Sequence, residues 1–422
     1  MTDSDSVVTS KLRGTRSLLA VAGLFAVNGA LVGGIGGTLP AMRLRLGVDA
    51  GGLAVLLFSL AAAAVISMQI GGRLADSRGA RVVALPAGAL LIAGVALLAF
   101  APTLPLAAAA MALAGLGNGA MDVSMNALGV RVEQVRAKPV MSRLHASFSI
   151  GNLAGAGSVV LIARLAGDGA RVVAPALLTV SAVCVATLLA ISRSVPATTP
   201  LSPVEKSSSG SGLPVFAWLL GAMAFSFGLA EGTAVDWSSV QVTDVALVEP
   251  STGALGLVAV SSFMVLIRLF GDRAVAAFGR ANVVRFGGLV AAAGYLVVLL
   301  GTPLPVLLVG WALVGLGVGM IAPQVYAVAG HAGGGRMLAI VVTFGYGAFL
   351  IGPAIIGALI GQVGIRNAMA LPLVLSLVLV ALSRVLSREE VRPGRRGGHG
   401  RMEDGPRPSS PRSRQEARRR ES

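Results

Sequence analysis

The chain has 422 residues, of which 55% are hydrophobic, 13% charged and 5% aromatic, with 56 glycines and a formal net charge of +15. Soluble globular chains average about 25% charged residues, so this composition excludes a disordered chain and argues against a soluble multidomain enzyme. A single cysteine, Cys184, excludes an intramolecular disulfide framework and a Cys-rich metal site.

A membrane-spanning helix needs about 20 mainly apolar residues. Apolar runs of that length cover 17–40, 52–72, 82–101, 104–130, 144–166 and 171–193, then 214–237, 252–271, 284–302, 304–326, 338–361 and 366–386. The expected fold is an all-α membrane protein with 12 transmembrane helices in two pseudo-symmetric six-helix halves. Residues 1–16 form a short N-terminal segment, 17–193 the first half, 194–213 a linker, 214–386 the second half and 387–422 a basic tail. The first run is too long for the apolar core of a signal peptide, so it reads as the first helix. Pro196, Pro200, Pro203 and the run Ser207-Ser208-Ser209-Gly210 make the linker a flexible one.

Orientation follows from the loops. Of the 34 Lys and Arg, 29 fall in the N-terminus, alternate loops and tail, whereas Arg43, Arg45, Arg164, Arg171 and Arg366 fall on the other side. The positive-inside rule then places both termini in the cytoplasm, in the inner (plasma) membrane. The basic residues sit in gaps between apolar runs rather than on a soluble recognition module, which argues against nucleic acid as a partner. The tail, with 11 arginines and 6 acids, reads as disordered and attracted to anionic membrane lipid.

The two halves look like copies. Ala112-Leu113-Ala114-Gly115-Leu116-Gly117-Asn118-Gly119 recurs as Ala312-Leu313-Val314-Gly315-Leu316-Gly317-Val318-Gly319. Arg73-Leu74-Ala75-Asp76 has a candidate counterpart in Arg268-Leu269-Phe270-Gly271-Asp272, and Phe148 with Gly151 in Phe344 with Gly347. Paired repeats with a site at their interface are a transporter architecture.

The stretch Gly72-Arg73-Leu74-Ala75-Asp76-Ser77-Arg78-Gly79-Ala80-Arg81 resembles the signature loop of the major facilitator superfamily. The segments Met121–Ala127, Met141–Ser149 and Glu231–Ser238 resemble a permease branch near the fucose/H+ symporters. The resemblance covers residues 17–386. It implies twelve helices, alternating access by rocking of two halves and no ATP hydrolysis; a small-molecule substrate, no enzymatic step, no cofactor and a monomer are the accompanying expectations. Asn28 stands where the fucose-type symporters are expected to carry an acid. The twelve-helix drug/H+ antiporters typically carry an arginine in the fourth helix, and 107–130 contains none.

Candidate gating residues are Gly72, Asp76, Arg78, Gly79 and Arg81, with Glu133 as a partner for one arginine. Asp272 and Arg273 form a degraded copy in the second half. The alternative is that these arginines only fix topology.

Charged side chains within spans are costly and mostly functional. Asp122 and Glu231 are the two acids well inside, expected about 9 Å off the midplane on opposite sides, from the rise of 1.5 Å per residue. Asn118, Asp122 and Asn126 are spaced i, i+4, i+8 on one stripe, suited to a polar solute or a transferable proton. A gate relay to Arg78 and Arg81 is the alternative. Glu231 has no evident cationic partner in the sequence, which makes it a second proton candidate. Asp236 and Trp237 follow, Trp237 reading as an interface-belt aromatic ahead of a sugar-stacking platform. His145, Asn152, Gln324, Tyr326 and Tyr346 are further polar candidates. His145 could titrate near neutral pH, against a helix-end hydrogen bond as the plainer role.

The reading is a secondary transporter for a small polar solute, a sugar or related metabolite, with proton coupling open. Efflux of an amphipathic compound by H+ antiport and a non-transporting sensor or scaffold are the alternatives. The sequence has no metal-binding or nucleotide-binding motif.

Overall fold

The computed structural model describes residues 14–136, 140–197 and 215–386, and leaves out the side chains of 272, 330–336, 338 and 339. The basic tail, most of the linker and residues 1–13 lie outside that description. The described residues form helices and connecting turns. The first half contains α1 (Thr15–Leu46), α2 (Ala50–Arg78), α3 (Ala80–Leu98), α4 (Leu104–Arg136), α5 (Met141–Ala166) and α6 (Val173–Ser192). The second contains α7 (Val215–Ala246), α8 (Leu255–Phe278), α9 (Arg280–Leu300), α10 (Leu304–Val318), α11 (Ile321–Ala368) and α12 (Ala370–Leu382). The tenth span, Leu304–Ala329, combines α10 with the start of α11, and the eleventh, Ile340–Ala368, is the later part of α11. Among the described residues eleven segments are long and apolar enough to cross a membrane, and Ala370–Leu386 is a shorter apolar helix.

Large apolar side chains such as Leu19, Ile70, Leu161, Leu189 and Phe286 are exposed on the outer surface. A soluble monomer rarely shows contiguous apolar surface on that scale, and lipid covers it here. Helices satisfy their own backbone groups, which is what the bilayer interior demands.

Glycine sets how closely the helices approach. A Cβ on Gly115 would lie 2.1 Å from the Leu60 carbonyl, and one on Gly315 would lie 2.2 Å from the Val260 carbonyl. A Cβ on Gly117 would meet the backbone of Leu91, and one on Gly317 that of Ala291. Each pair is related by 200 positions. The sharp turns keep the same spacing: Gly79 (φ +93°) between α2 and α3 corresponds to Gly279 (φ +76°) between α8 and α9. Their N–H groups donate to the carbonyls of Ala75 and Val275.

That register corrects one sequence match. With Gly79 opposite Gly279, Arg73 corresponds to Arg273 and Asp76 to Ala276, so Asp272 falls opposite Gly72. Arg268 corresponds to Met68, ten residues before the end of α8 and about 15 Å inside it. The short motif match was out of step because Arg and Asp recur by chance in basic loops. The Gly151 match also carries no packing. A Cβ on Gly151 would strike the Ala26 carbonyl, whereas one on Gly347 would meet open space.

Within the halves α1 packs on α5 and α2 on α4, mirrored by α7 on α11 and α8 on α10. Across the halves α5 packs on α8 and α2 on α11. At the end where α1 and α7 finish, opposite the end where they begin, Arg43 forms a bidentate pair with Asp244. Beside it the Asp168 carboxylate accepts hydrogen bonds from the Ser251 hydroxyl and backbone N–H.

Candidate functional site

The helices leave a cavity of about 250 Å³ between the halves. It is lined from six spans: Asn28 on α1, Met68 on α2, Asn118 and Asp122 on α4, Phe148 and Asn152 on α5, Glu231 and Asp236 on α7, and Tyr346, Phe349 and Pro353 on α11. Asp122 and Glu231 therefore share one chamber. Glu231 lies at mid-length of α7 and Asp122 two residues past mid-length of α4. The expected displacement to opposite sides came from the ends of the apolar runs. Both helices continue beyond those runs, to Ala246 and Arg136.

Asp122 is held from both halves. Tyr346 Oη donates to Asp122 Oδ2 at 3.0 Å, and Asn126 Nδ2 donates to Asp122 Oδ1 at 3.2 Å. Asn126 Nδ2 also reaches the Asp122 carbonyl at 2.9 Å. Of the polar stripe, Asn118 and Asp122 face the cavity and Asn126 backs the carboxylate. The helix geometry explains the split, because the stripe turns away as it advances.

Glu231 has a cationic partner after all. Arg268 Nη2 lies 3.1 Å from Glu231 Oε1, with the side chains 11% and 14% exposed. Arg268 Nη1 donates to Ser149 Oγ at 2.6 Å in the first half, and its Nε donates to the Gly319 carbonyl at 3.1 Å. That carbonyl is free to accept because the residue four positions on is Pro323, which has no N–H to donate, at the break between α10 and α11. One guanidinium thus joins α5, α7, α8 and the α10–α11 break. Next to it Ser261 Oγ donates to Asn152 Oδ1 at 2.9 Å, again from one half to the other.

Asn28 is 2% exposed and its Nδ2 has no acceptor among the described residues, as Asn118 Oδ1 has no donor. Asp236 lines the cavity with no hydrogen bond or ion pair to another described residue. Trp237 is 1% exposed inside the core, so it belongs neither to an interface belt nor to the cavity wall. The extension of α7 to Ala246 buries it more than two turns from the helix end.

The remaining candidates do not line the cavity. His145 packs edge-on against Phe25, with ring centroids 5.3 Å apart. Tyr326 packs edge-on against Phe227 at 5.5 Å, and Gln324 is buried. Asp76 and Arg78 are exposed, and neither has an ion pair to another described residue. Arg81 donates to the Ser192 carbonyl at 3.0 Å. Glu133 accepts the backbone N–H groups of Val140 and Met141, at 2.7 and 3.0 Å, capping the start of α5 rather than meeting an arginine. Gly72 has room for a Cβ, 3.5 Å from Val123, whereas the neighbouring Gly71 meets Ala120 at 3.0 Å. Arg273 lies over the Phe270 ring at 6.0 Å, and the Asp272 side chain is outside the described set.

Sequence reasoning missed Arg268, Ser149 and Ser261. The available signal was the 200-residue register, which puts an arginine where the first half has cavity-lining Met68.

The chain resembles known transporters over most of its length. It is 34% identical to an uncharacterized transporter, y4wD, of Sinorhizobium fredii, covering 87% of this chain and 97% of that protein. It is 29% identical to an uncharacterized MFS-type transporter of Yersinia pestis, over 83% of this chain and 90% of the relative. Membrane protein MosC of Rhizobium meliloti is 27% identical over 88% and 90% of the two chains. Among solved structures, a POT family transporter in complex with 5-aminolevulinic acid superposes with a TM-score of 0.70 at 14% identity, covering 90% of this chain and 98% of that one. A mutant form of the nucleoside transporter NupG gives 0.69 at 13% identity, covering 88% and 99%. At those identities the structures speak to the fold alone. Residues 232–421 match the profile described as Major Facilitator Superfamily. With eleven apolar spans and a shorter twelfth helix among the described residues, a cavity between two repeated halves and transporter relatives along its length, the chain belongs to the Major Facilitator Superfamily and is a membrane transporter.

Proposed function

We propose that this transporter moves a small polar solute across the inner membrane by alternating access, with Asp122 as the proton-carrying group and both termini in the cytoplasm. The observation that carries the reading is the cavity itself, at mid-height between the halves, with polar groups from both converging on it. Its volume favours a small solute over an amphipathic drug, since sites for drug-sized ligands measure about 300–1,000 Å³. The Arg43–Asp244 and Asp168–Ser251 ties hold together the end where α1 and α7 finish, remote from where they begin. That closure supports an arrangement open toward the cytoplasm.

Asp122 suits the proton role because its hydrogen-bond donor, Tyr346, belongs to the opposite half. Protonation would weaken the Tyr346 contact and free the halves to rock, which couples a proton to the change of access. The test is solute counterflow and proton-driven accumulation in proteoliposomes, screened with labelled sugars, polyols, amines and amino acids. Asp122→Asn should lose accumulation and keep counterflow. Equal loss of both would remove Asp122 from proton transfer, and no counterflow with any solute would favour a sensor.

A further inference from the structure

The three carboxylates facing the cavity are unequally served. Asp122 accepts from Tyr346 and Asn126, and Glu231 is matched by Arg268. Asp236 has neither a donor nor a cation among the described residues. A carboxylate at membrane depth is costly without a counter-charge. The contacts of Arg268 run instead to Glu231, Ser149 and the Gly319 carbonyl.

An independent observation points to a ligand at the same place. Asn28 and Asn118 both line the cavity, and the buried Asn28 Nδ2 donor and Asn118 Oδ1 acceptor have no partner among the described residues. Buried amide groups in folded proteins nearly always have partners. The chamber therefore has an unmet anion, an unmet donor and an unmet acceptor. A neutral polyol answers the two asparagines and leaves Asp236 without a counter-charge. An anionic solute would face repulsion from Asp236. Stacking of a sugar ring on tryptophan is also absent from the wall, because Trp237 lies in the core.

We infer that the solute is a small organic ammonium ion bearing at least one hydrogen-bonding oxygen, with its ammonium on Asp236 and its oxygen between Asn28 and Asn118. This rests on the reading of the cavity as the solute site and narrows it to a charge class.

The experiment is a thermal-shift titration of the full-length protein in detergent with matched triads. One triad is ethanolamine, ethylene glycol and glycolate; the other is glucamine, sorbitol and gluconate. In at least one triad the amine should bind tenfold or more tightly than the alcohol, with no stabilisation by the acid. Asp236→Asn should weaken the amine at least tenfold and leave the alcohol unchanged. An alcohol or acid binding as tightly as its amine would overturn the ammonium assignment while leaving a solute site in place. So would a folded Asp236→Asn protein with undiminished amine affinity. If that variant does not fold, the wild-type ranking within each triad decides. No shift with any of the six, together with no counterflow of any solute, would overturn the solute-site reading as well.

Discussion

Tyr346 on α11 donates its hydroxyl proton to Asp122 on α4, 3.0 Å away across the boundary between the halves. The bond belongs to this arrangement of the halves, so it biases the protein toward it. A hydrogen bond to an ionised group contributes about 1.5–3 kcal/mol. Tyr346→Phe should therefore raise the population open at the remote end about tenfold or more. Labelling of Val235→Cys from that side reads the change, and identical labelling with and without Tyr346→Phe would remove the bond from the switch.

Arg268 and Glu231 should be coupled. Arg268→Leu leaves Glu231 without its cation and should cost about 3–5 kcal/mol of stability. Adding Glu231→Gln should restore most of that loss. Strictly additive losses in a thermal-unfolding double-mutant cycle would mean the pair does not act as a unit.

The repeated glycines should respond in pairs. Gly115→Ala and Gly315→Ala each place a methyl group against a backbone carbonyl and should each cost about 1–3 kcal/mol or more. Gly361→Ala meets open space on a helix. It should be neutral or gain up to about 1 kcal/mol from helix propensity. Unfolding midpoints of the three variants check the ranking.

Leu247 occupies the position equivalent to Gly47, and both have left-handed φ, +54° and +63°. The following N–H groups, of Val248 and Val48, donate to the carbonyls of Thr243 and Arg43 at the same 3.2 Å. Leucine in this conformation costs about 1–2 kcal/mol, and its side chain is 88% exposed. Leu247→Gly should stabilise the protein by up to about 1 kcal/mol, after the larger chain entropy of glycine is subtracted. A lower unfolding midpoint would contradict this.

The two sets of arginines near the membrane faces should separate by assay. Arg78 is exposed and Arg43 is paired. Arg78→Ala should leave stability within about 0.5 kcal/mol, as expected for an exposed site without a special contact. Arg43→Ala should increase labelling of Val235→Cys from the remote side, and Asp244→Ala should do the same. An effect of one without the other would break the assignment of the pair as a closure.

The twelve helices were legible because apolar length is written directly into sequence, and the copied glycines around 115 and 315 marked the repeat. The cavity was legible in part: seven of its polar residues, Asn28, Asn118, Asp122, Asn152, Glu231, Asp236 and Tyr346, stand out as polar groups in apolar helices. What the sequence hid was pairing. Glu231 looked unpartnered because Arg268 reads as a loop residue until the Gly79–Gly279 register moves it inside α8. Trp237 looked interfacial because the polar end of α7 extends past the apolar run. Contacts between residues 37 or 224 positions apart depend on which helices become neighbours, and periodicity within one helix does not encode that.

The closest glycine contacts, such as Gly115 with Leu60 and Gly315 with Val260, lie inside one half or the other. If each half moves as a rigid unit, these contacts are present before and after the motion and cancel from its free energy. The resting preference for one face is then written in what spans the boundary: polar bonds such as Arg43–Asp244, Asp168–Ser251, Arg268–Ser149 and Tyr346–Asp122, and close packing such as Gly357 on Ala54. A protein can thus be rigidly built and still turn over quickly, because durability and timing are governed by separate residues.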